Sequence, residues 1–205
     1  MKVLLVNGSP PEKGCTYTAL SEIARVLQAQ GIETEIFQLG KAVNGGCRAC
    51  LACRTLGKCV VDDSVNEFAL KAESADGFVF GSPVHYASAG GNIVAFMDRL
   101  FYSSSRKLMF KPAACIASCR RGGATATFDV LNKYFTINQM PVVSSNYWTI
   151  IHGNTAEEAA QDIEGMQTAR VLGNNMAWLL KCIEAGKAQG IEPQKEKKIL
   201  TNFIR

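Results

Sequence analysis

Proline is scarce, at 6 of 205 residues, and the 18 glycines follow no repeat, which excludes a collagen-like chain. Charge of either sign is also modest. Charged residues make up 20% of the chain against 47% hydrophobic ones, a balance that excludes a disordered chain and a coiled coil. The 22 basic and 18 acidic side chains leave a net charge of +4, too mild to call for nucleic acid and compatible with a small anionic ligand. No apolar run approaches the roughly 18 residues of a membrane span, so no membrane association and a cytoplasmic location are expected. A chain of this size can bury roughly 70% of its unfolded surface in one core. The expected organisation is one domain over residues 1–188 and a polar tail over 189–205. That tail carries Ile199, Leu200, Phe203 and Ile204, the one hint of an oligomer contact.

Cysteine, in contrast, is plentiful, with 8 residues. In a reducing compartment these are not a disulfide framework, and they are clustered rather than spread. Cys47, Cys50, Cys53 and Cys59 form C-x2-C-x2-C-x5-C within residues 41–63, a stretch without periodicity. A loop of that length usually has a function or lacks order. The spacing leaves three readings open: an iron–sulfur cluster, reduced structural or redox thiols, and zinc. Zinc is the least apt, because structural zinc sites usually draw on two separated cysteine pairs. Arg48, Arg54 and Lys58 around the thiols favour thiolate in every case.

Elsewhere, short apolar runs alternate with amphipathic segments, the pattern of a parallel sheet covered by helices on both faces. Strands are expected at 2–6, 32–39, 77–81, 113–117 and 141–151. Helices are expected from Thr16 to Gly31, over 65–72 behind an Asp63–Ser64 cap, around Ile93 to Leu100, around Phe128 to Phe135, and as one long helix over 155–185 with Ile163, Met166 and Leu172 inward. Asp98 and Arg99 suggest an ion pair of modest worth on a helix face. Cys115 and Cys182 suggest packing.

Ligands of such sheets sit outside the carboxyl ends of the strands. The turn after the first strand, GSPPEKGCTYT, gathers the hydroxyls of Ser9, Thr16 and Thr18 at a helix start, an anion site built from neutral donors. Cys15 and Thr16 follow Gly14, so the Gly-Lys-Ser/Thr of a nucleotide P-loop is lacking. The turn after the third strand, GSPVHYASAGGN, sets Val84 and Tyr86 around His85 and suits a flat heterocycle. After the fourth strand, SCRRGG offers Arg120 and Arg121. Cys115 to Arg121 also satisfies C-x5-R, the spacing of a thiol phosphatase, but without the internal glycines or the following Ser/Thr of that loop.

In this order, GSPPEKGCTYTAL, the cysteine segment CRACLACRTLGKCVVDD and GSPVHYASAGGNIVAFMDR resemble the NADPH-dependent FMN reductase family of flavodoxin-like proteins, which includes the iron–sulfur flavoproteins. The resemblance implies a three-layer α/β/α sandwich with a five-stranded parallel sheet in the order 2-1-3-4-5, with FMN held along the strand ends. It assigns the phosphate to Ser9, Gly14, Cys15, Thr16 and Tyr17. It assigns the flavin ring to Ser82, Pro83, Val84, His85 and Tyr86, and a third contact to Ser118, Cys119, Arg120, Arg121, Gly122 and Gly123. In an oxidoreductase of this kind His85 or Tyr86 would give a proton to the acceptor and Arg120 or Arg121 would stabilise negative charge, which makes His85, Tyr86 and Arg120 the expected catalytic residues. The cysteine spacing resembles the compact cluster motif of the iron–sulfur flavoproteins, which would make Cys47, Cys50, Cys53 and Cys59 ligands of a [4Fe–4S] cluster. Two functions follow: an FMN oxidoreductase that takes hydride from NAD(P)H and reduces a quinone, azo or nitro compound or free flavin, or an FMN electron carrier serving a ferredoxin-like protein. A homodimer or homotetramer is implied as well.

Overall fold

A computed structural model describes residues 1–40 and 44–201. Five parallel strands form its sheet: β1 (Lys2–Asn7), β2 (Glu33–Gln38), β3 (Gly77–His85), β5 (Ala113–Cys119) and β6 (Ile150–His152), in the order β2-β1-β3-β5-β6. The two-residue β4 (Ser88–Ala89) folds back antiparallel on the end of β3. With β4 set aside, this is the expected order 2-1-3-4-5.

The strands are apolar throughout because both faces of the sheet are covered. Leu4 and Val6 of β1, Phe78 and Phe80 of β3 and Cys115 of β5 face one layer, made by α3 (Ser64–Ser74), α4 (Gly91–Ser104) and α5 (Ala124–Ile137). Val3, Leu5, Val79 and Ile116 face the other, made by α1 (Cys15–Ala29), α6 (Ala156–Gln161) and α7 (Ile163–Ala188). Aromatics are few but concentrated: Phe68 touches Phe37, Phe78, Phe80 and Phe96 at centroid separations of 5.2 to 6.2 Å, all in the first layer. No helix among the described residues is long and apolar enough to cross a membrane.

Several expected elements are redrawn. The third strand does not stop at Gly81 but continues through Ser82, Pro83, Val84 and His85. The fifth, expected over 141–151, keeps a bridge at Val142 and the short β6; between them Ser144 accepts from the Asn175 side chain at 2.8 Å and Ser145 donates to the Thr168 carbonyl at 2.7 Å. Bonding to α7 thus replaces a sheet ladder there. The long helix over 155–185 is broken at Asp162, whose carboxylate caps α7 by accepting from the Gly165 amide at 2.9 Å. Ile163, expected inward, is 82% exposed, and Cys182, expected in the core, is exposed on α7. A short helix, α2 (Cys53–Leu56), lies inside the cysteine loop. The tail from 191 to 201 has no helix or strand and is exposed; Phe203 and Ile204 lie outside the described residues.

Candidate functional site

The first turn is shaped by Asn7, fully buried at the end of β1. Its side-chain oxygen accepts from the Ser9 amide at 3.1 Å, while its Nδ2 donates to the Glu12 carbonyl at 3.1 Å and to Gln38 Oε1 at 2.5 Å. Gln38 in turn donates to the Ser9 carbonyl at 2.8 Å, so the end of β2 fastens the loop to its neighbour strand. The helix that follows, α1, has Gly14 as N-cap, no side-chain cap bond and no acid in its first turn. Its first amides are therefore donors for an anion, and the helix dipole favours one.

Of the hydroxyls expected in this turn, Thr16 is buried and shares a hydrogen bond of 2.7 Å with Ser118 at the end of β5, and Thr18 donates to the Gly14 carbonyl at 3.2 Å. Ser9 is also buried, and Tyr17 is half-buried. The Cys15 thiol turns toward the carbonyls of Gly153 and Thr155, at 3.4 and 3.2 Å. Burial pushes this thiol up, opposed by its own amide and assisted by Glu158 and Glu157.

The second turn is a tight hairpin whose two tip residues, Tyr86 (φ 49°) and Ala87 (φ 57°), both stand in the left-handed region. That conformation matches the strand twist but normally selects Gly, Asn or Asp, so two ordinary side chains here store strain of the kind found at ligand-binding sites. Tyr86 is fully exposed and His85 exposed, whereas Ser82 is buried, donating to the Pro83 carbonyl at 2.8 Å and accepting from the Gly90 amide at 3.0 Å. Val84 packs on Ala117, Cys119 and Ala124.

In the third turn Arg120, Arg121 and Gly122 are exposed, while the Cys119 carbonyl accepts from the Gly153 amide at 3.0 Å. Gly123, at φ +92°, caps α5 without a side-chain bond.

The three turns meet at one edge of the sheet. Gly8 donates to the Gly81 carbonyl at 2.9 Å, Thr16 reaches Ser118, and Gly123 lies so close to the hairpin that a Cβ on it would stand 2.5 Å from Ala87 Cα. α1, α4 and α5 all start there on glycine caps with no side-chain bond, whereas α3, α6 and α7 are capped by Asp63, Thr155 and Asp162. Bare amides, a strained exposed aromatic tip and two exposed arginines fit the phosphate and the flat ring of a flavin mononucleotide.

The cysteine loop lies against α4. Cys47 and Cys50 are exposed, Cys53 and Cys59 half-buried, and all four line one cavity together with Arg99. Among the described residues no three ligand-type side chains converge on a single point. Ala49 and Leu51, on either side of Cys50, hold positive φ of 51° and 60°.

Residues outside the motif brace this loop. The buried Asn66 side chain accepts from the Cys59 amide at 3.0 Å and donates to the Cys59 carbonyl at 2.9 Å. Arg99, 2% exposed, gives both terminal nitrogens to Asp63, one at 2.8 Å, and its Nε is buried with no hydrogen-bond partner among the described residues. Burial works against the Arg99 charge, but Asp63, aided by the Cys59 thiol, holds the guanidinium above its ordinary value. The expected Asp98–Arg99 pair is thus not formed. Neighbours in sequence do not face each other on a helix, and Asp98 instead accepts from the Tyr134 hydroxyl. Four soft thiols and an orphaned cationic donor in one cavity are a donor set that fits an iron–sulfur group.

Asn7, Gln38, Asn66 and Arg99 join the site only through the fold. Only Asn7 left a signal, a polar residue closing an apolar strand just before a Gly-Ser-Pro turn.

The thiol-phosphatase spacing finds no support: Cys115 is buried within β5, and burial pushes its thiol far above the ordinary value. Alkylation of metal-free native protein at mildly alkaline pH is expected to modify Cys47, Cys50 and Cys182 and to spare Cys115 until the chain is unfolded. A peptide map carrying an early adduct at Cys115 would contradict its placement.

Comparison with known proteins fits this edge. A family model described as NADPH-dependent FMN reductase matches residues 1–155. An iron–sulfur flavoprotein of Methanocaldococcus jannaschii is 32% identical over 195 residues, covering 90% of this chain and all of the relative. An iron–sulfur flavoprotein of Methanosarcina thermophila is 26% identical over 191 residues, covering 91% of this chain and 99% of the relative. Among solved structures, an archaeal flavodoxin superposes with a TM-score of 0.61 at 15% identity over 88% of this chain and 99% of its own, a likeness of fold.

Proposed function

The chain belongs to the NADPH-dependent FMN reductase family and groups within it with the iron–sulfur flavoproteins, and from that premise we propose that it is an electron carrier holding FMN at the strand ends and an iron–sulfur cluster in the Cys47–Cys59 loop. The observation that carries this reading is the shared cavity of the four thiols against Arg99.

When bound, FMN supplies both hydride and single-electron chemistry, and a cluster supplies single-electron exchange with a partner protein. The chain's own residues bind and orient. The amides at the start of α1, with Gly14, Cys15, Thr16 and Tyr17, take the phosphate. The hairpin from Ser82 to Tyr86 would hold the ring. Ser118 fixes Thr16, and Cys119, Gly122 and Gly123 carry the third turn across to the hairpin. Were the chain to act as a reductase, His85 and Tyr86, both exposed at the tip, would hold a proton for the acceptor. Arg48, Arg54 and Lys58 on the cysteine loop suit an acidic, ferredoxin-like partner.

A second reading, direct reduction by NAD(P)H, is favoured by the exposed Arg120 and Arg121 beside the hairpin, which can meet a nucleotide phosphate.

Protein prepared without oxygen is expected to carry about one FMN with about four iron and four acid-labile sulfide per chain, and to be reduced faster by reduced ferredoxin than by NADPH in stopped flow. Flavin bands without iron would sink the carrier with a cluster. Faster reduction by NADPH would move the assignment to the reductase.

A further inference from the structure

Arg99 is the one charged side chain of α4 that is fully buried, and its surroundings account for only part of it. Asp63 takes both terminal nitrogens, yet Nε keeps a hydrogen with no acceptor among the described residues. An unsatisfied buried donor on a cation costs stability, so its persistence asks for a partner. The same guanidinium lies beside Cys59 and lines the cavity shared with Cys47, Cys50 and Cys53. Sulfur of a thiolate-ligated cluster is an acceptor of the kind this position lacks, and donors to such sulfurs, with buried positive charge, stabilise the reduced and more negative form.

We propose that Arg99 is the tuning residue of the cysteine loop: anchored by Asp63, it donates its remaining Nε–H to a cluster or thiolate sulfur and raises the reduction potential of the group held there. The proposal rests on the loop holding a cluster. Asp63 both fixes the direction of the guanidinium and cancels part of its charge, so the two residues act on the potential with opposite sign. Arg54, exposed on the same loop, is screened by water and adds little.

The test uses the full chain, reconstituted with iron and sulfide without oxygen, with iron and flavin counted before a potentiometric titration followed by electron paramagnetic resonance. R99K keeps the charge and loses the Nε–H. It is expected to load iron and to shift the oxidised-to-reduced ratio of the cluster at fixed ambient potential about tenfold toward oxidised, which is about 59 mV downward for a one-electron couple. D63N keeps the cap oxygen and leaves the guanidinium uncompensated, and is expected to shift the ratio the other way. R106Q, at an exposed arginine outside the cysteine loop, is expected to match the wild type. Should R99K fail to fold or load, D63N decides by the sign of its shift. Loaded R99K at the wild-type potential, or D63N unshifted or shifted downward, overturns the role of Arg99 alone. A wild-type chain that takes up no iron overturns the cluster and this inference with it.

Discussion

Replacing Asp63 by alanine is expected to cost about 3–5 kcal/mol of stability, the range for removing one partner of a buried ion pair. Its carboxylate, with 12% of its side chain exposed, holds both terminal nitrogens of an Arg99 side chain that is 2% exposed. It also accepts from the Val65 amide at 3.1 Å as the cap of α3 and from Asn44 at 3.1 Å. Without it the guanidinium, 2% exposed, is left buried with no carboxylate to offset its charge. For a chain of this length the loss lowers the melting temperature by roughly 6–20 °C. D63A/R99M, which removes both charges, is expected to recover most of that loss, because an apolar pair of similar volume carries no desolvation cost. Thermal melts of the three proteins check this, and D63A melting within a degree or two of the wild type would sink it.

The same pair sets a pH dependence. Burial raises the Asp63 carboxyl, but the hydrogen bonds from Arg99, Val65 and Asn44 outweigh it and hold the group below its ordinary value of 3.8. A carboxyl lowered in the folded state contributes stability that is complete above that ordinary value and disappears as pH falls through the folded one. The gap between wild type and D63A should therefore close in strong acid and stay constant near neutrality.

That ion pair also marks where sequence reading stops. The strands, the two covered faces of the sheet and the turns at its edge follow from local signals, continuous apolar runs such as KVLLV, glycine stops and the Asp63 cap, whereas the strand order follows only from the resemblance to the family. Arg99 and Asp63 are 36 residues apart, and nothing local says that a helix arginine is buried or which acid it meets. The adjacent Asp98 made a local pair look natural, and only the packing of the cysteine loop on α4 sends the two side chains to different partners. The fifth strand failed for a related reason. Its β-rich residues over 141–151 are overruled by Ser144, Ser145 and Asn175, whose bonds to and from α7 become visible only after the helix has docked. The hairpin was hidden because Tyr86 and Ala87 are poor turn formers; their positive φ is imposed by β3 and β4 pairing on either side.

The other large effect is expected at Gly123. At φ +92° an alanine pays the left-handed penalty of about 1–2 kcal/mol, and its Cβ would stand 2.5 Å from Ala87 Cα and 3.0 Å from Val84 Cγ1. The first of these is backbone at a hairpin tip that is itself strained, so it has little freedom to give, and overpacking of this kind adds about 1–3 kcal/mol. The least costly relaxation moves the tip away from the start of α5. It carries Tyr86 and His85 off the strand ends, while Thr16 and Ser118 hold the first and third turns in place. FMN affinity of G123A is accordingly expected to fall at least tenfold, about 1.4 kcal/mol of binding, alongside a lowered melting temperature. G122A is the control, since a Cβ on Gly122 meets nothing within 4 Å and its φ needs no glycine. Flavin fluorescence titration of the apoproteins separates the two cases: equal FMN affinities for G123A and G122A would mean that the hairpin tip does not hold the flavin.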